Sequence, residues 1–175
     1  MQDQSDQRHQ LFLSHSHADA DLVVALARQL EQLGLRCWLD QWEMVPGKSS
    51  VEGLQDGLAE SDAVAVIVAE HGMGRWHTEE GRQALKRSIE EGTRAFVVWM
   101  PGCDPDPRGL SQWLRERSHI DLRGEMRDGQ VSRAGLVQLA AGALGITPRQ
   151  AQTWLDQRLP PTPDGSPSSP GAGGR

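Results

Sequence analysis

A chain of 175 residues with a formal charge of −6 is long enough for one α/β domain with a sizeable core. It is too acidic to carry the basic face that general nucleic-acid binding needs. Cys37 and Cys103 are too few for a disulfide framework, the opening MQDQSDQRHQ lacks a signal peptide's apolar stretch, and no apolar run nears the roughly 20 residues that span a bilayer. A reducing, cytoplasmic setting away from the membrane is therefore expected.

Residues 1–10 read as a disordered polar tail. Leu11 to Ser14 is a short apolar run ending in a polar loop, SHSHAD. Leu22, Val23, Leu26, Ala27, Leu30 and Leu33 then follow at helical spacing, with Gly34 as the stop. Leu35 to Leu39 predicts a second strand, and Asp40 to Ser50 a long loop containing Pro46-Gly47. Val51, Leu54 and Leu58 mark a short helix. Ala63 to Ala69 is uninterrupted and apolar, the pattern of a central parallel strand covered on both faces. The loop EHGMGR leads into a helix expected from Trp76 to Glu91, and Ala95 to Met100 predicts a fourth buried strand.

Beyond the loop PGCDPDP, Leu110 to Arg117 predicts a short helix, Ile120 to Leu122 an edge strand and Gly135 to Leu144 an apolar helix. Thr147, Pro148 and Gln150 have the form of a capped helix start, with proline at the first position and glutamine three after the cap. The expected organisation is one domain over 11–146, an additional helix over 147–159 and a Pro/Gly/Ser-rich segment over 160–175. That last segment is too poor in apolar residues to offset its ordering entropy. As a linker it makes the chain the front part of a longer protein with a sensor domain beyond; a plain disordered tail fits the composition equally well. Strands alternating with helices imply a doubly wound parallel sheet.

Three segments resemble the sequence boxes of Toll/interleukin-1 receptor (TIR) domains. Phe12-Leu13-Ser14-His15-Ser16-His17 with Asp19 is similar to the first box, a strand end followed by an acid. Cys37-Trp38-Leu39-Asp40 with Glu43 and Pro46-Gly47 is similar to the second box and its BB loop, in a form nearer microbial and plant members than animal adaptors. Gly74 to Glu80 resembles the Trp-x-x-x-Glu segment that opens the third helix of catalytic members. The resemblance runs from Leu11 to Leu144 and implies a flavodoxin-like, five-stranded parallel sheet in the order 2-1-3-4-5.

In such sheets ligands bind beyond the carboxyl ends of the strands where the order reverses, here the SHSHAD and EHGMGR loops. The family segment ending in Glu80 follows the second of these. The resemblance therefore implies an NAD+ glycohydrolase or cyclase of immune or cell-death signalling, with NAD+ as substrate, no resident cofactor, and Glu80 as the catalytic carboxylate. On a continuous helix, Trp76 and Glu80 share one face, whereas Glu79 points about 100° away. Acids in a first turn also serve the helix dipole alone, which is the plainer role for both glutamates.

Phe12, Ser14, His15, Trp42 and Trp76 are the candidate substrate-binding residues. Phe12 and Trp38 suit the core as well, while Trp42 stands in a polar loop with no packing reason. Asp40, Trp42, Glu43, Pro46 and Gly47 form the expected assembly loop for homotypic TIR contacts. Two other patterns carry nothing. Gly47-Lys48-Ser49 has Trp42 where a phosphate-binding loop needs glycine, and His15-x-His17 lacks a third metal ligand. A non-catalytic adaptor is the competing function. A two-component receiver is disfavoured, because Ser14 and Glu70-His71 stand where its acids belong.

Overall fold

The computed structural model describes residues 8–74, 78–103 and 110–159. Five strands, β1 (His9–Ser14), β2 (Cys37–Trp38), β3 (Ser61–Val68), β4 (Arg94–Trp99) and β5 (His119–Asp121), form one parallel sheet in the order 2-1-3-4-5. Around it lie α1 (Ala20–Gln32), α2 (Asp40–Glu43), α3 (Ser50–Glu60), α4 (Glu79–Glu90), α5 (Gln112–Arg115), α6 (Arg133–Leu144) and α7 (Pro148–Asp156). This is the doubly wound sheet expected from the alternating elements, in the flavodoxin-like order that the resemblance implies.

The two-residue alternation of each strand divides the core into two layers. Leu11, Leu13, Ala63, Ala65, Ile67 and Val98 face α1, α6 and α7, meeting Val23, Leu26, Leu30, Leu139 and Leu155. Phe12, Val64, Val66, Val68 and Val97 face α3 and α4, meeting Leu54, Leu58 and Leu85. A continuous apolar run is therefore necessary in β3, which pairs with β1 on one side and β4 on the other.

Four of the differences from the sequence expectations bear on the fold. β1 begins at His9 rather than Leu11, because His9 pairs with Ser61. The Gln10 side chain accepts the Arg36 N–H at 2.7 Å, and the Arg8 guanidinium donates to Asp62 and to the Ala59 and Ser61 carbonyls. These bonds remove 8–10 from the expected tail, and 1–7 lie outside the described residues. The loop from Asp40 opens as the single turn α2. α4 begins at Glu79, not Trp76, since Thr78 is extended (φ −82°, ψ 149°) and caps the helix by accepting the Gly81 N–H at 3.1 Å. Last, β6 (Met126–Arg127) and β7 (Gln130–Val131) form an antiparallel hairpin through Asp128-Gly129, both at positive φ.

The capping box of α7 forms as the sequence indicates, with Thr147 and Gln150 bonded reciprocally. Residues 160–175 lie outside the described residues, as do the linker and sensor-domain expectations that fall on them. No described helix is long and apolar enough to cross a membrane.

Candidate active site

The strand order reverses between β1 and β3, so the loops leaving their carboxyl ends are neighbours. Gly74 brings them into contact. It sits at φ +67°, and a Cβ built there would lie 2.4 Å from the His15 carbonyl oxygen, which only glycine avoids.

A second link crosses the same gap. The Asp19 carboxylate, with its side chain 6% exposed, accepts the His71 ring Nδ1–H at 2.8 Å and the His71 backbone N–H at 3.2 Å. A carboxylate that must only accept fixes the ring, leaving Nε2 on the outer edge of a half-exposed imidazole. The Asp19 bond, with charge from Asp19 and Glu70, raises the His71 pKa above its ordinary 6.5, against a smaller opposing effect of burial. The sequence marked Asp19 only as the acid that follows the first box and His71 only as a residue standing where a receiver's acid would be, and it paired neither with the other. The available signal was an acid and a histidine in loops that the fold makes adjacent.

His15 is buried and its ring is fully engaged. Nδ1 bonds the Leu13 carbonyl at 2.9 Å, and Nε2 bonds the Gln41 amide at 3.0 Å. A carbonyl accepts only, so Nδ1 carries the hydrogen and Nε2 accepts. No ring nitrogen remains for a ligand, which corrects the expectation of a substrate-binding His15: the ring ties the first-box loop to α2. Phe12 is corrected likewise. It is 1% exposed and meets Trp38 edge-on at 4.7 Å, a core pair under α3. Ser14, the last residue of β1, is buried beside Val66 at the mouth of the crevice.

Of the two glutamates opening α4, Glu79 is committed. It accepts from Arg82 at 2.9 Å and from Gln83 at 3.0 Å, which holds its carboxyl below the ordinary range. Glu80 is exposed and makes no side-chain hydrogen bond or ion pair with any described residue. Trp76 lies outside the described residues. Thr78 is extended ahead of Glu79, so the continuous helix expected through position 78 is not formed there.

The expected assembly loop divides. Asp40, the first residue of α2, is buried, whereas Trp42 and Val45 are 38% and 58% exposed and Glu43, Pro46 and Gly47 are exposed beside them. Gly47, at φ +98°, makes the turn before Ser49 caps α3. No cluster of metal ligands occurs among the described residues. A cavity of about 550 Å³, lined by Arg94, Phe96, His119 and Gln138, opens at the amino ends of β4 and β5, away from this crevice.

Residues 11–137 match the TIR domain family. A curated relative, the NAD(+) hydrolase TcpA of Theionarchaea archaeon (strain DG-70-1), is 25% identical over 109 residues, 61% of this chain. The match covers 33% of that protein, so the chain corresponds to about a third of it. The TIR domain of the Toll-related receptor TRR-2 from Hydra magnipapillata superposes with a TM-score of 0.50 at 14% identity, over 65% of this chain and 83% of that one. A metazoan TIR-STING receptor from C. gigas, solved with 2',3'-cGAMP, gives 0.55 at 17% identity, over 69% and 37%. At these identities the likeness to solved structures carries the fold.

Proposed function

The chain belongs to the TIR domain family, and on that premise we propose that it is an NAD+ glycohydrolase with Glu80 as its catalytic carboxylate. The observation that carries the reading is the division of labour at the start of α4. Glu79 is held by Arg82 and Gln83, and Glu80 is left uncommitted, one turn beyond the loop at the sheet's switch point. The relative named NAD(+) hydrolase supports the same substrate.

The chemistry requires little more than that carboxylate and a shaped crevice. Nicotinamide leaves NAD+ as a neutral molecule from a cationic ring, so no strong nucleophile is needed to break the bond. Positive charge develops on the ribose, as in glycoside cleavage. A carboxylate beside the ribose offsets that charge and accepts hydrogen bonds from its hydroxyls. NAD+ is the substrate here, with ADP-ribose or a cyclic form as the second product. The setting is immune or cell-death signalling, including antiviral defence, in which homotypic TIR contacts through the exposed Trp42–Val45 loop assemble the enzyme and a linked sensor domain triggers it.

Incubating the purified protein with NAD+ and separating the products by chromatography tests the reading. Nicotinamide should appear together with ADP-ribose or its cyclic isomer. An intact dinucleotide at all enzyme concentrations, in a protein that still self-associates through the Trp42 loop, would establish the adaptor instead.

A further inference from the structure

We propose that His71, oriented by Asp19, is the proton acceptor for the oxygen nucleophile that completes the reaction, a role that rests on the glycohydrolase reading. Four features of the crevice support it. Asp19 is almost wholly buried and gives both carboxylate oxygens to one residue. Its bond to Nδ1 leaves Nε2 as the ring's basic site, on the half-exposed edge at the carboxyl ends of β1 and β3. A tether alone would need only the backbone N–H of His71, which Asp19 also holds. The second bond, to the ring, is what an oriented base requires, a buried carboxylate fixing the imidazole tautomer from behind. His15, the other crevice histidine with defined ring bonds, has both nitrogens occupied.

The step balances without a further reagent. As the nicotinamide–ribose bond breaks, its electron pair goes to the pyridinium nitrogen and neutralises it. A water oxygen bonds to the ribose carbon while one of its protons passes to His71 Nε2 and later to solvent. Glu80 offsets the ribose charge throughout. A ribose hydroxyl attacking in place of water must lose a proton in the same way, so His71 would govern every oxygen acceptor. An acceptor without a proton to lose, such as a pyridine nitrogen, bypasses it.

That difference supplies the test. Nicotinamide release is followed at high enzyme concentration with water as the acceptor and, separately, with a free substituted pyridine that exchanges into the dinucleotide. His71→Asn keeps a donor where Nδ1 stands, preserving the bond to Asp19, and removes Nε2. Hydrolysis should fall about 10²-fold while pyridine exchange stays within a few-fold of wild type. Hydrolysis by wild type should lose rate as pH drops through the His71 pKa, which Asp19 and Glu70 place above 6.5. Asp19→Asn removes the carboxylate facing the ring and should move that limb to lower pH. Equal loss with both acceptors, or hydrolysis kept by His71→Asn, overturns the assignment and leaves the role of Glu80 to be judged by its own variant. A wild type that releases no nicotinamide with either acceptor sinks the glycohydrolase reading itself, and this step with it.

Discussion

At the scale of single residues, the site turns on which side chains are already spent. Glu79, His15 and Phe12 each have partners that occupy them, while among the described residues Glu80 and the outer edge of His71 have none. Glu80→Gln should therefore lower nicotinamide release on the order of 10²-fold or more, with the melting temperature almost unmoved because the residue is exposed. Glu79→Gln should cost only the small helix-end contribution of an exposed acid and leave turnover near wild type. Steady-state rates and thermal melts of the two variants side by side check this, and damage confined to Glu79→Gln would reverse the assignment. The family segment is what pointed to Glu80 as the candidate carboxylate. Asp19 and His71 were not paired from the sequence, because 52 positions separate them and only the β1–β3 adjacency makes them neighbours.

At the scale of elements, what the sequence revealed depended on length and periodicity. α1 was legible from its apolar spacing and α7 from its capping box. β3 and β4 announced themselves as unbroken apolar runs because both faces are covered. α2 is a single turn of four residues, too short to show a period. The β6–β7 hairpin offers two residues per strand, so its only signal was Asp128-Gly129, a dipeptide suited to two successive positive φ angles. The start of α4 was misplaced for a related reason: a helical period extrapolates backwards through a cap, and Thr78 is where it must stop. The central strands also set the expected stability. Val97 is fully buried between α3 and α4, so Val97→Ala should destabilise by roughly 1–3 kcal/mol through lost burial and a residual cavity. Chemical denaturation gives the value, and a change no larger than a surface substitution's would contradict it.

At the scale of the whole molecule, the exposed Trp42 and Val45 lie between β2 and α3, on the single turn α2 and the irregular segment that follows it. Head-to-tail contacts through such a loop generate an open filament or a ring rather than a closed dimer. Specific activity should therefore rise with enzyme concentration, and Trp42→Ala should abolish the rise while leaving the fold intact. A concentration-independent rate in a monomeric wild type would make the loop a lid over the crevice instead.

The rims of the sheet limit what such an assembly can be made of. β2 is two residues long and β5 three, so neither presents a row of free amides and carbonyls on which another chain could lay a strand. Copies that assemble should then meet mainly through side chains and separate on dilution. An assembly of this kind is a switch with an off position: it should disperse within a dilution experiment and leave an amyloid dye dark, where strand-on-strand growth would lock the signal on.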